Sequence, residues 1–478
     1  MIFSTKIPQR CLVWLTVVLM LAVSLAQPTP AVALSIQEEK ELGERLLTLV
    51  RKEFKFLDDP DITTYIRRLG QEVLDVAGPQ PFDYHFFVVD NREFNAFAAP
   101  GGIIVIHSGL IEAAESEGQL VSVLAHEVGH AVSRHYADRL DKTQRVNLGA
   151  TALALAGLIL GGGAMAEAVV AGSLAGSATM SLQFSRQDEE EADLLALRWM
   201  REMGRDPAEM LGMLRTMRNI SRFRRAQLPA YLLTHPEPER RIAYIEDRLY
   251  IDRLPTRIEP RPGDEDFEFE FHRVRQRIFS LTRSPQDLLP ALRHRMRQGE
   301  EDPVNFMARY GLSQVYLADR QHKKALEEIR KVIARFPDRP ILLADLAIIL
   351  FEAGHGEEAL EQLIEARKRD PNDPYILFHL ARTLQQLDRS AEAKPIYEQL
   401  LTKTPDHARL HFRYGQVRTE LGDRAAGHYH LGLYHWYLGE ARMARHHLGE
   451  AVRHDEEDGN YQRRAKEQLA TIARLGNK

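Results

Sequence analysis

Residues 120–132 read LVSVLAHEVGHAV, and this stretch decides the fold. Its apolar run suits a buried helix, and residues four apart on a helix share a face, so the imidazoles of His126 and His130 can reach one ion. Glu127 is turned away from that face by about a quarter turn, so it stands beside the ion's open side without occupying a coordination position. A carboxylate so placed is the general base of metal-assisted hydrolysis. Gly129 leaves no side chain to obstruct approach to the metal. The helix is expected to begin near Glu117 and run through the 130s.

Upstream, Phe82–Val89 (FDYHFFVV) is aromatic and β-branched and reads as a strand. Short strands follow at 94–98 (FNAFA) and 102–107 (GIIVIH), separated by the turn Pro100-Gly101-Gly102. Further upstream, residues 36–57 place apolar side chains at helical spacing, and Asp58-Asp59-Pro60-Asp61 then breaks and recaps the chain into a second helix ending near Gly78. The predicted domain is mainly α with a small β-sheet.

Zinc needs at least three protein ligands, so a third must lie elsewhere. The extended motif H-E-x-x-H-x-x-G-x-x-H is excluded, because its last two positions hold Ser133 and Tyr136. His135 on a continuous helix points about 140° away from His130 and is not expected to be a ligand. The better source is the acidic block Ser185–Asp193 (SRQDEEEAD). Glu189 and Asp193 share a helix face there, so one can bind metal while the other orients a ligand histidine through its free ring nitrogen. Chemistry alone leaves Glu189 and Glu190 open as the ligand.

The ends of the chain carry different signals. Lys6 and Arg10 precede an apolar run from Leu12 to Ala26, and Ala31-Val32-Ala33 supplies small residues, the order of an export leader cleaved after Ala33. The one cysteine, Cys11, falls inside that leader, so the mature chain would carry no thiol chemistry. Residues 148–182 are almost uncharged and rich in Ala, Gly and Leu; they suit a buried helical hairpin, or peripheral contact with a bilayer surface. Arg257–Phe271 (RIEPRPGDEDFEFEF) is acidic and Pro- and Gly-punctuated and reads as a linker. Beyond it, Pro303, Pro337, Pro371 and Pro405 recur every 34 residues, and Ala325, Ala359 and Ala393 keep the same spacing. That is the tetratricopeptide period, with small residues where paired helices touch and proline closing the second helix. The formal net charge of −5 gives no reason to expect nucleic acid as a partner.

On these residues the sequence resembles the gluzincin metallopeptidases that include HtpX and the CAAX-prenyl endopeptidases. The likeness is carried by Asn95-Ala96-Phe97-Ala98-x-Pro100-Gly101-Gly102, Leu124-Ala125-His126-Glu127-x-x-His130, Arg134-His135, Ser185-Arg186 with Glu189 and Ala192-Asp193, His235-Pro236 with Arg241, and the repeats behind. The resemblance implies one zinc ion per chain on His126, His130 and Glu189, with Glu127 as catalytic base and Asp193 supporting the ligands. It further implies that His235 and Arg241 approach the reacting carbonyl, and that His235 can instead take the open zinc position and hold the enzyme latent. Asn95, Ala96, Phe97 and Ala98 would offer a sheet edge to an extended substrate.

The expected layout is a signal peptide over 1–33, a gluzincin peptidase domain over 34–256, a linker and leading helix over 257–283, and an α-solenoid of tetratricopeptide repeats over 284–478. The expected activity is that of a zinc endopeptidase in the periplasm, acting on misfolded or stalled envelope proteins, with the concave face of the repeats docking protein partners such as the outer-membrane assembly machinery. The alternative is a chaperone or scaffold whose zinc site is closed by His235.

Overall fold

The computed structural model describes residues 34–142, 184–223, 231, 234–252, 264–299, 301–454 and 459–476. The leader expected over 1–33 and the apolar stretch 148–182 lie outside the described residues. Among the described residues, no helix is long and apolar enough to cross a membrane.

The N-terminal half opens with α1 (Ile36–Glu53), closed at its start by a reciprocal capping box between Ser35 and Glu38. It stops earlier than the periodicity suggests, because Phe56 leaves the helix to bridge Val89. α2 (Pro60–Ala77) starts on Asp59, whose carboxylate accepts from the Asp61 amide, with Pro60 fixing the first turn. Three strands follow: β1 (His85–Val89), β2 (Ala96–Ala99) and β3 (Ile103–His107). Their order is β1-β3-β2, with β1 parallel and β2 antiparallel to β3. The tight turn between β2 and β3 needs positive φ at Gly101 (77°) and Gly102 (80°), which glycine adopts without a Cβ clash.

The short α3 (Ser108–Ala113) leads into α4 (Glu117–Val132), which carries the H-E-x-x-H residues and is capped by Ser116. The helix does not run through the 130s. Arg134 takes a left-handed φ of 51°, held by its bonds to the Glu39 carboxylate (2.8 Å) and the Leu34 carbonyl (2.7 Å), and α5 (His135–Lys142) sets off in a new direction. α6 (Arg186–Glu202), α7 (Glu209–Phe223) and α8 (Pro238–Ile251) complete this half. The crossing of α4 and α6 is close because Gly129 faces Ala192: a Cβ on Gly129 would lie 3.2 Å from the Ala192 Cα. The glycine therefore serves helix contact, not access to a metal.

The zone expected to be a linker is partly a helix. α9 (Asp264–Thr282) sends Phe271, Val274 and Ile278 into the N-terminal core, while Phe269 joins the core of the repeats. The leading helix expected after the linker thus begins inside the acidic stretch, because it serves two cores on different sides. Behind it come paired helices, among them 308–318 with 322–335, 341–352 with 356–369, 374–386 with 390–403, and 408–420 with 424–437, followed by 441–454 and 460–476. Ala325, Ala359 and Ala393 are fully buried where the pairs touch. Pro337, Pro371 and Pro405 each fall just past the second helix of a pair, whereas Pro303 instead starts a four-residue helix.

The first helices of the pairs face the chain's own N-terminal half. Asp345 accepts from Arg273 Nε (2.9 Å) and Arg277 Nη1 (3.4 Å) of α9 and from the Tyr310 and Tyr375 hydroxyls (3.1 and 2.8 Å). The same two arginines grip Asp61 and Asp59 at the start of α2. Farther along, Asp406 meets Arg67 (2.9 Å) and His85 (3.3 Å).

Candidate metal centre

Four potential ligands converge in the interior: His126 and His130 from α4, Glu189 from the first turn of α6, and His235 just ahead of α8. Their ligand atoms all lie within 4.8 Å of one another, and all four side chains are buried. His126 Nε2 is 3.1 Å from His130 Nε2 and 3.2 Å from His235 Nδ1, and Glu189 Oε1 is 2.9 Å from His235 Nδ1 and 3.3 Å from His130 Nε2. Two donors on a tetrahedral zinc at ordinary bond lengths sit about 3.3 Å apart. Glu189 Oε2 accepts no aligned hydrogen bond, although it lies 2.9 Å from Arg241 Nη1. Three carboxylates, Glu127, Glu189 and Asp193, share this volume with one guanidinium, Arg241, leaving negative charge that a buried divalent cation would neutralise. The donor set fits zinc.

α6 is positioned by the capping box between Ser185 and Asp188, reinforced by Arg139 Nε on Asp188 (3.1 Å), which presents Glu189 inward and leaves Glu190 exposed. Burial alone would raise the Glu189 pKa, but the facing His235 and Arg241 outweigh it and hold the carboxylate well below its usual range. Asp193, one turn on, lies 2.9 Å from His126 Nδ1 and takes two bonds from Arg241 (Nε 2.8 Å, Nη2 2.6 Å) and one from the Tyr244 hydroxyl. Arg241 Nη1 also reaches Glu189 Oε2 at 2.9 Å.

Glu127 is fully buried beside the cluster. Its Oε2 accepts from the Ala98 amide of β2 at 2.9 Å, and its Oε1 faces His235 Nε2 at 3.5 Å without a hydrogen bond. Burial, the largest influence, raises its pKa toward the value a general base needs. Ala96, Phe97 and Ala98 lie in β2, with Asn95 immediately before it, and all four are buried.

His135, part of the Arg134-His135 motif but not expected beside the centre, is turned by the break at Arg134 and meets the far nitrogen of His130, Nδ1 to Nδ1 at 2.9 Å. Other neighbours carry no sequence signature. Phe184 stacks on the His130 ring at 3.8 Å, and Tyr231 stacks on His235 at 4.3 Å. Tyr244 sits three residues past Arg241 on the same face of α8, a spacing that could have drawn notice.

This fold and centre define a metallopeptidase carrying an arm of helical repeats. Residues 60–249 match the family described as Peptidase family M48, and tetratricopeptide repeats match over 316–382 and over 287–340 and 378–426. The chain thus carries a Peptidase family M48 domain with tetratricopeptide repeats behind it. It is similar to the beta-barrel assembly-enhancing protease of Escherichia coli O157:H7, 29% identical over 78% of this chain and 75% of that one. The protein of the same name from Yersinia pestis is 28% identical over 75% of this chain and 73% of its own. The mitochondrial metalloendopeptidase OMA1 of Schizosaccharomyces pombe is 30% identical over 39% of this chain and 53% of its own.

Proposed function

We propose that the protein is an exported zinc endopeptidase of the periplasm that cleaves misfolded or stalled envelope proteins in the course of outer-membrane protein assembly. The observation carrying this reading is the buried quartet His126, His130, Glu189 and His235 with Glu127 set against it. The assembly role draws on the printed name of the enterobacterial relatives.

Zinc, when held by His126, His130 and Glu189, supplies Lewis acidity toward the scissile carbonyl and lowers the pKa of water. Glu127, anchored by the Ala98 amide, takes a proton from the attacking water and passes it to the leaving amine. Asp193 and Arg241 keep His126 and Glu189 in place. Asn95–Ala98 guide an extended substrate alongside the centre. Glu127→Gln should retain zinc and lower casein hydrolysis by at least about 10²-fold, the scale of a lost general base; near-normal cleavage by that variant would refute the assignment.

A second reading is favoured by His235, whose Nδ1 lies among the ligand atoms. With a fourth protein donor the centre is closed, and the resting protein acts as a chaperone or scaffold through its repeats. His235→Ala should then raise basal hydrolysis several-fold, whereas an essential oxyanion role for His235 would lower it. Full rescue of envelope defects by Glu127→Gln would favour the scaffold.

A further inference from the structure

A second cluster of histidines lies at the far end of the array. Helices 424–437 and 441–454 run back to back, joined by residues 438–440. His428 and His435 are seven residues apart on the first and His447 and His454 seven apart on the second, so each pair lies on one stripe of its helix. His428 Nδ1 and His447 Nδ1 approach to 3.1 Å. The His435 ring lies parallel to His447, 5.2 Å between centroids, and His454 stacks on His428 at 5.8 Å.

An isolated pair of neutral imidazoles at such a distance shares a hydrogen bond, as in the buried His411–His430 pair at 2.8 Å, where the other His411 nitrogen is taken by the Pro405 carbonyl. The outer cluster differs in two respects. It is part-exposed, so an ion can enter. A third imidazole is also oriented by a carboxylate: Glu440 Oε2 holds His435 Nδ1 at 2.6 Å and leaves Nε2 free, the outer support typical of a metal-bound histidine.

We propose that His428, His447 and His435, with His454 in reserve, bind a second divalent transition-metal ion of the zinc class, which staples the last two helices of this pair together. Two nitrogens on one such ion sit about 3.3 Å apart, close to the separation already present. The His435 ring lies parallel to His447, so it must turn out of that stack about its Glu440 contact for Nε2 to supply the third position. Burial first, and then the neighbouring imidazoles, push His447 down to about 4 and lower His428, so both rings are neutral and ligand-competent at pH 7. Imidazole sets select zinc, nickel or copper over calcium and magnesium.

The test is calorimetric titration of the full, chelator-stripped chain with Zn²⁺. Wild type should take up two equivalents. His428→Ala/His447→Ala should take up one and keep casein hydrolysis, and His126→Ala/His130→Ala should take up one at the repeat site, with a rise in Tm on adding Zn²⁺. His435→Gln, which keeps the helix surface polar, should weaken the second binding event at least about tenfold, as loss of a ligand or its support does. One equivalent in wild type, or two retained by His428→Ala/His447→Ala with helical content unchanged, would overturn the proposal. Should that double variant lose helical content, the His435→Gln titration decides: unaltered affinity rejects the site.

Discussion

Asp193 shows how much of the centre rests on residues that do not face the ion. Its two oxygens serve His126, Arg241 and Tyr244 at once. An amide in its place can accept on one side only and would turn its NH₂ toward Arg241 or His126. Asp193→Asn should therefore weaken zinc binding by about 10–100-fold while leaving Glu127 untouched; unchanged affinity in a competition titration with a chelator would contradict this. The convergence of His126 and His130, with Glu127 beside them, was legible because a helix converts a spacing of four into a shared face. Glu189 and Glu190 were not separable on that basis, since a capping box one residue earlier or later would present the other. His135 was set aside for pointing away on a continuous helix, a sound deduction from a false premise: the left-handed Arg134, fixed by contacts to Glu39 and Leu34 far back in the chain, swings it behind His130.

At the scale of elements, the centre depends on how closely α4 and α6 cross. Gly129→Ala gains helix propensity of about 1 kcal/mol, but its Cβ would press on the Ala192 backbone at 3.2 Å on one of the tightest contacts of the site. Overpacking of this kind costs about 1–3 kcal/mol. The displacement falls on α6, one turn from Glu189, so zinc content and activity should drop more than Tm does. A variant with full zinc and activity would show that the crossing has slack. α9 marks the limit of reading boundaries from pattern: a leading helix was expected by residue 283, but not its start inside the acidic zone read as a linker. Its helix exists because two cores claim different faces of it, and neither core is visible from a local window. The repeats were legible for the opposite reason: their contacts are between sequence neighbours, so the period itself encodes the packing.

For the whole molecule, the decisive contacts are those between the peptidase half and the repeats. Asp345, fully buried, accepts two arginines and two tyrosines. Asp345→Ala leaves Arg273 and Arg277 short of a counter-charge and should destabilise the joined structure by about 3–5 kcal/mol, the scale of breaking a buried pair, seen as a lower melting temperature and faster trypsin cleavage near α9. Acid should act on the same joint. Burial pushes the Asp59 carboxyl up, but Arg277 overcomes it and holds the group well below the usual range, and His85 and Arg67 do the same for Asp406. A carboxylate with a folded pKa below the unfolded value of about 3.9 contributes its full stabilisation above that pH and loses it as the pH falls through the folded value. The two halves should stay docked at pH 5 and separate only below about pH 4, as followed by small-angle scattering; expansion already at pH 5 would contradict the role of these carboxylates.

Tyr310, Asp345 and Tyr375 on the first helices of the repeats are already engaged by the arginines of α9. The array in this region is a bracket more than a mouth. This means that neither half is a spare part. Clipping the repeats away would strip Asp345 from Arg273 and Arg277 and leave them to Asp61 and Asp59 alone on a raw surface, so a truncated peptidase that misbehaves would testify to its wound as much as to the lost arm's purpose.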